Sequence, residues 1–189
     1  LNKIISKNKV NFFLNIGIII SIIIASLTFI YLISNQENNE RFTSFYILNS
    51  NEKAINYPTE INIGEETDIF IGVSNHEKET INYTIEIWIS NETFENGKIL
   101  YKNFWFINKI EFSLKHKEIE IGENWLPQYK KNLSLIIEDE ELKGENLKIN
   151  LLLFKGKTEL HEKYNDNYEN AEEIMDNVYR NVFLIVDIL

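Results

Sequence analysis

The strongest candidate for chemistry in this sequence is the run Asn75-His76-Glu77. An imidazole beside a carboxylate at the end of a strand could bind a metal ion, or the pair could act as acid and base. The same residues also suit a turn, in which Asn adopts left-handed backbone angles and the other two cap the backbone or face solvent. A metal site needs three or four ligands, and His116 and His161 show no spacing that relates them to His76. We therefore expect a structural turn.

Three further runs resemble known motifs without completing them. His161-Glu162 begins like the zinc-protease motif H-E-x-x-H, but Asn165 stands where the second histidine is required. Residues 165–169 (NDNYE) offer oxygen ligands of the calcium type without the spacing or the glycine of an EF-hand loop, and calcium binding there stays open. Residues 138–141 (EDEE) read as a solvated acidic loop. We predict no catalytic, cofactor-binding or metal-binding residues.

The sequence also contains three N-x-[ST] sequons, at Asn82, Asn91 and Asn132. On a domain outside the cell they are candidate N-glycosylation sites. Their number is no greater than chance gives in a sequence so rich in Asn. Asn91, near the end of a predicted strand, is the best placed of the three.

Trp88 is expected on the polar face of its strand. An outward indole there could stack on a sugar or contact a partner protein. Coverage of the indole by a loop or by a second layer is the alternative, and we favour it.

The elements that must position these residues begin with an apolar segment at residues 12–33, which contains no charged side chain. A helix of that length spans about 33 Å and matches a hydrocarbon core of roughly 30 Å. A cleaved signal peptide would have a shorter apolar stretch and small residues before its cleavage site. We predict one uncleaved transmembrane helix whose partner is the lipid bilayer.

Charge is distributed unevenly around that segment. Lys3, Lys7 and Lys9 give residues 1–36 a charge of +3, whereas the rest carries −13, for a total of −10. The positive-inside rule then places the N-terminus in the cytoplasm. The acidic balance argues against a nucleic-acid partner. The predicted organisation is a basic cytoplasmic tail at residues 1–11, the transmembrane helix at 12–33, a polar spacer at 34–40 and an external domain at 41–189.

Beyond the spacer, apolar and polar residues alternate. The sequence has no Cys, which excludes disulfides, Cys-type zinc sites and Cys nucleophiles. One apolar face per strand and seven or more short strands predict a mainly β fold, an immunoglobulin-like antiparallel β-sandwich preceded by one transmembrane α-helix. Residues 103–117 have no assignable register, and 164–176 are interpreted as a loop with a helical turn or two. The alternating runs are residues 69–73, 81–89, 133–137, 147–153 and 182–188.

A series of short segments, in order along the chain, resembles the C-terminal region of the archaeal domain-of-unknown-function 1616 family. The resemblance implies a membrane protein with an exposed immunoglobulin-like β-domain and no assigned activity, and it supplies no catalytic residues. Members of that family often carry several transmembrane helices before this region, whereas this sequence has one, so no role of those helices is carried over. The segments are residues 42–48, Ala54, Tyr57-Pro58, Gly64-Glu65, 72–77, 83–86, 152–155, Tyr179-Arg180 and 184–186.

These features together predict a membrane-anchored module on the outside of the cell membrane, belonging to the archaeal cell envelope. Its role would be structural or in protein interaction, with no catalysis, no cofactor and no nucleic acid. The alternative is an accessory module that binds a glycan or another envelope component through exposed aromatic side chains. The sequence does not identify the protein or envelope partner.

Overall fold

The computed structural model describes residues 2–34, 41–95, 97–119, 126–158, 160–164, 167–168 and 172–189. The predicted spacer, except for Ser34, and most of the 165–169 run lie outside these residues. The chain forms two compact units, Leu1–Glu40 and Arg41–Leu189.

The first unit is the helix α1 (Asn2–Ser34), which begins within the segment expected to be a basic tail. Its stretch Asn11–Ile33 is long and apolar enough to cross a membrane, and its side chains are exposed throughout. The hydroxyl of Ser21 donates to the carbonyl of Gly17 at 2.8 Å, one turn earlier. A polar side chain in the apolar stretch is thus satisfied by the helix itself.

Within the described residues, the second unit contains nine strands, one 3-10 turn and two short helices. Positive backbone φ angles occur at Gly64, Gly97 and Gly156, where a left-handed turn favours glycine. The elements are β1 (Thr43–Leu48), β2 (Glu60–Ile61), β3 (Glu66–Asn75), β4 (Ile81–Glu95), β5 (Lys98–Leu114), β6 (Tyr129–Ile136), the 3-10 turn (Glu140–Leu142), β7 (Gly144–Lys155), α2 (Leu160–Tyr164), β8 (Asn167–Tyr168), α3 (Glu172–Asp176) and β9 (Arg180–Ile188).

The strands form two sheets. Sheet A has the order β1-β3-β6, and sheet B has the order β2-β9-β7-β4-β5-β8. Neighbouring strands are antiparallel, except that β2 runs parallel to β9. Alternate residues of both sheets meet in one hydrophobic core, to which Ile71 and Leu133 contribute from sheet A, and Ile85 and Leu151 from sheet B. The predicted fold class is confirmed: a mainly β, immunoglobulin-like sandwich follows one N-terminal apolar helix.

A second hydrophobic cluster covers part of the outer face of sheet B. Trp88, Phe104, Leu152 and Phe154 pack there against Ile174 of α3, and Trp88 and Ile174 are fully buried. The indole is therefore covered by a second layer and does not face solvent. The sequence interpretation favoured such coverage of Trp88 and is confirmed here. It did not identify the residues that cover the indole, because it gave each strand one apolar face.

Strand β5 pairs with β4 along its whole length, which settles the register of residues 103–114. The ladder shifts between Ile87 and Trp88 and again between Ser90 and Asn91. A bulge inserts an extra residue and interrupts the alternation of faces. These two shifts explain why residues 103–117 have no register that can be assigned from the sequence.

Candidate functional site

The Asn75-His76-Glu77 run lies where the chain leaves sheet A at the end of β3 and enters sheet B. The amide of Asn75 donates to the carbonyls of Glu79 and Leu114, both at 2.8 Å, while its oxygen accepts from the backbone N–H of Glu77 at 2.9 Å. The left-handed residue of this turn is Lys78, with φ 66°, and not the asparagine. Asn75 therefore holds the turn with its side chain, at a position in β3 that is fully buried.

His76 is buried as well, with 7% of its surface exposed. Its Nδ1 lies 2.7 Å from the carbonyl oxygen of Lys117, and because a carbonyl can only accept, Nδ1 is the donor. The imidazole also packs on the Phe42 ring, with centroids 4.8 Å apart. These contacts fix the ring between the two sheets as a structural group.

Glu77 is the centre of a polar cluster at this end of the sandwich. Its Oε1 accepts hydrogen bonds from the Thr43 hydroxyl at 2.9 Å and the Tyr179 hydroxyl at 2.5 Å, and pairs with the Lys155 ammonium at 3.0 Å. Burial alone would raise the pKa of Glu77, but the bonds from Tyr179, Lys155 and Thr43 outweigh it and leave the pKa below its ordinary value. The three donors come from β1, from the end of β7 and from the residue before β9.

Two other members of the Glu77 cluster, Tyr83 and Lys155, are held in their ordinary charge states. Burial raises the pKa of Tyr83 to about 12, and its hydroxyl lies 2.7 Å from that of Thr43. Burial would lower the pKa of Lys155, but its bonds to Glu77 and Tyr179 raise it, and its Nζ lies 3.9 Å from the Tyr179 ring centroid. A general base or acid works best with a pKa near the working pH, and these shifts move Glu77, Tyr83 and Lys155 away from it. The cluster ties together β1, β7, β4 and the start of β9.

A second polar contact lies under α2 on the outer face of sheet B. Glu86, with 0% exposure, accepts from the indole N–H of Trp88 at 3.0 Å and contacts Nδ1 of His161 at 3.2 Å. The His161 ring stacks on Phe106 at 4.6 Å between centroids. His161 therefore joins α2 to the sheet. Sequence reasoning missed this pair, and its one local signal was a carboxylate two residues before a tryptophan, with isoleucines on either side.

In the part of the chain that the structure describes, no three His, Asp or Glu side chains are grouped closely enough to hold a metal ion. Asn82 and Asn91 lie in β4 and Asn132 in β6, and all three side chains are exposed. The amide of Asn132 donates to Asp68 at 3.0 Å, whereas Asn91 sits next to a shift in the ladder. Glycosylation at these residues stays a prediction.

A groove runs along one side of the sandwich, between the edge of sheet A and strand β9 of sheet B. Its volume is about 630 Å³, and its walls are largely apolar. The Tyr57 hydroxyl donates to the carbonyl of Ile47 at 2.8 Å, next to the groove wall. The lining residues are Tyr46, Ile47, Leu48, Ala54, Tyr57, Asn181, Val182, Phe183 and Leu184.

Comparisons with known proteins give a family and a weak likeness in fold. A family model described as domain of unknown function (DUF1616) matches residues 36–187. No curated protein matches the chain. The chain is similar to a crystal structure of the CARDB domain of the PF1109 protein from Pyrococcus furiosus, in complex with di-metal ions, at 12% identity and a TM-score of 0.40, over 79% of this chain and 89% of that one. It is also similar to Spo0M, a sporulation control protein from Bacillus subtilis, at 7% identity and a TM-score of 0.36, over 77% and 49% of the two chains.

Proposed function

The chain belongs to the DUF1616 family, and we propose that it is a membrane-anchored, non-catalytic protein-interaction module of an archaeal cell envelope, with its β-sandwich outside the cell. The observation that carries this proposal is the combination of a fully exposed apolar stretch, Asn11–Ile33, with a separately packed β-domain. An apolar helix of that length with no protein around it suits a lipid bilayer.

The proposed orientation follows from charge. Lys3, Lys7 and Lys9 precede the apolar stretch, and the domain after it is strongly acidic. Lysines flanking a span favour the cytoplasmic side, which places the N-terminus inside and the sandwich outside. Exposed Asn82, Asn91 and Asn132 would then be accessible to glycosylation.

The absence of catalysis is proposed from what the candidate reactive groups do. His76 and Glu77 are buried in contacts that hold the two sheets together, and His161 is engaged with Glu86. The apolar groove beside β9 offers a protein partner a surface that these contacts leave open.

The glycan-binding alternative receives less support. It needs an aromatic ring on the surface. Phe94 and Phe183 are exposed, but Trp88, the indole expected to stack on a sugar, lies under the second layer. Trp105 is half-buried against the main core, while Trp125 lies outside the described residues. We therefore favour a protein partner.

Protease accessibility tests the anchor and the orientation. A C-terminal epitope tag should be removed when protease is added to intact cells, while a cytoplasmic protein of the same cells stays whole. The chain should remain in the membrane fraction after alkaline carbonate extraction. A tag that is protected in intact cells and lost after lysis contradicts the orientation, and release by carbonate contradicts the anchor.

Crosslinking in native membranes tests the interaction role. The matched control keeps α1 and replaces residues 41–189 by an unrelated soluble domain. Adducts that form with the native chain and not with the control support a role for the sandwich. Identical adducts for both chains contradict it, because they would come from the helix alone.

A further inference from the structure

In the part of the chain that the structure describes, one edge of strand β9 is largely unpaired and could bind a partner. One side of β9 pairs with β7 from Arg180 to Ile188. On the other side, β2 covers Asp187 and Ile188. Within the described residues, no strand pairs with the rest of that side.

The direction of the backbone groups along this edge follows from two hydrogen bonds. The N–H of Asp187 donates to the carbonyl of Thr59 at 2.8 Å, and that of Leu189 donates to the carbonyl of Ile61 at 3.0 Å. In a β-strand, alternate residues direct their N–H and C=O groups to the same side. Asn181, Phe183 and Ile185 therefore direct theirs outward along the unpaired edge.

The groove beside this edge can receive side chains. Tyr46 and Leu48 of β1 form one wall, and Val182 and Leu184 lie on the other. The outer face carries Phe183 and Ile185, which are 48% and 52% exposed. A strand added here would place alternate side chains in the groove and the others beside the exposed pair.

Charge gives the groove a direction. Strands β1 and β9 begin at the same end of the sandwich, because Thr43 and Tyr179 both bond to Glu77. Arg41 and Arg180 stand at this end, and both are exposed. A carboxylate at the corresponding end of an added strand would meet two guanidinium groups in a domain that is otherwise acidic.

We propose that an extended segment of a partner protein adds to sheet B along Asn181–Ile185 of β9, parallel to β9 and in line with β2. The segment is about five residues long, or roughly 17 Å, with apolar side chains at alternate positions and an acidic residue at its N-terminal end. We call this unpaired edge, together with the groove beside it, the slot. It lies in line with a pairing that the chain already makes, because β2 covers Asp187 and Ile188 of the same edge. This inference rests on the proposed interaction role and names its surface.

A second copy of this chain fits the slot less well than a short peptide. Its own β9 would have to lie antiparallel to the first. In that arrangement, β2 and Thr59 of each copy would lie next to the start of β9 of the other copy, where they would obstruct the pairing. A partner segment of about five residues meets no such obstacle.

Amide hydrogen exchange on the full chain in lipid nanodiscs tests the slot itself. In the free chain, the N–H groups of Asn181, Phe183 and Ile185 should exchange about tenfold or more faster than those of Val182 and Leu184. The probe is the acetylated peptide Glu-Val-Thr-Val-Thr-Val, which should slow the three fast amides by about tenfold at saturation. A peptide N-methylated at alternate residues is the control and should leave them unchanged. Protection of these amides in the free chain, or no response to the unmethylated peptide, overturns the proposal.

A photo-crosslinking side chain in place of Ile185 tests the occupant in native membranes. The adduct should map to an extended segment of another protein, and the same group at the exposed Leu126 should not form it. Phe183→Pro should abolish the adduct without unfolding the chain, since its N–H points outward, whereas Leu184→Pro should disrupt the pairing with β7. An adduct with a second copy of the chain, or one unaffected by Phe183→Pro, contradicts a partner strand. If the tag were protected from protease in intact cells while the peptide still bound, the proposed orientation would be wrong but the proposed binding site on β9 would be supported.

Discussion

A carboxylate is costly to bury unless donors surround it, and Glu77 has three. Tyr179 lies far along the chain from Glu77, and Lys155 and Thr43 belong to two further strands. The turn at residues 75–77 was predicted from the sequence, but the burial of His76 and Glu77 was not. No local pattern identifies partners that only the folded topology brings together.

Glu77→Gln should remove the part of the folding stability that the native chain loses in acid. The pKa of Glu77 is lowered in the folded state, so its contribution is present above the ordinary value of 4.5 and is lost as the pH falls through the lowered pKa. At neutral pH the substitution should cost about 1–3 kcal/mol, because it weakens bonds to a charged acceptor. Denaturant unfolding of the full chain in micelles, at neutral and at acidic pH, measures both effects.

The control for this experiment is Glu111→Gln. Hydrogen bonding to Lys109 lowers the pKa of Glu111 too, but this carboxylate is exposed. An exposed ion pair contributes little to stability, so the control should behave like the native chain. Equal losses for the two variants would mean that the Glu77 cluster is no more important than a surface pair.

The contact between Glu86 and His161 should behave as one coupled unit. His161→Ala leaves a fully buried carboxylate with one donor fewer and should cost about 1–3 kcal/mol. In the Glu86→Gln background the same change should cost less, which a double-mutant cycle on unfolding free energies measures. The exposed His116 provides the control. Its Nδ1 accepts a 3.2 Å bond from the backbone N–H of Lys78 at the surface, so His116→Ala should cost less than His161→Ala and should not depend on the residue at position 86. Additive effects at Glu86 and His161 would show that the contact does not hold α2 to the sheet.

At the scale of the elements, alternation predicted much of the fold. The runs at residues 69–73, 81–89, 147–153 and 182–188 lie in β3, β4, β7 and β9. Alternation failed where both faces of a strand are covered, as in β4. The residues that cover its outer face, such as Ile174 of α3 and Leu160 of α2, lie far along the chain. The edge pairing of β2 could not be predicted either, because a strand of two residues is too short to show an alternating pattern. The groove beside β9 could not be predicted because its walls come from segments far apart in the sequence.

Gly72 shows how one strand of sheet A accommodates its neighbour. It pairs with Tyr46 across β1 and β3, and a Cβ added at Gly72 would lie 2.4 Å from the Tyr46 ring. Gly72→Ala should therefore displace that ring from the groove wall and cost about 1 kcal/mol. With Tyr46→Ala in place, Gly72→Ala should instead stabilise the domain, by a few tenths to about 1 kcal/mol, because alanine restricts the unfolded chain more than glycine does. Thermal unfolding of the two single variants and of the double variant measures these changes in stability. If Gly72→Ala still destabilises the domain when the Tyr46 ring is absent, the steric explanation is contradicted.

At the scale of the whole molecule, the net charge of −10 and the hydrophobic fraction are averages over two unlike units. Lys3, Lys7, Lys9 and the exposed apolar stretch belong to Leu1–Glu40, whereas the acidic excess and both hydrophobic clusters belong to Arg41–Leu189. The composition as a whole therefore describes neither unit. It also follows that the folding of the sandwich should not depend on the anchor.

The fragment of residues 41–189 should fold as a soluble domain. Every residue of the main core and of the second cluster lies within it, so removing α1 deletes none of the buried apolar contacts. Its thermal midpoint should agree with that of the sandwich in the full chain in nanodiscs to within about 2–4 °C, which corresponds to a stability difference of less than about 1 kcal/mol. Near-ultraviolet circular dichroism of both samples measures this, and the full chain should need detergent or lipid to stay in solution while the fragment does not. Aggregation of the fragment, or a midpoint far below that of the full chain, would show that the helix contributes to the stability of the β-domain.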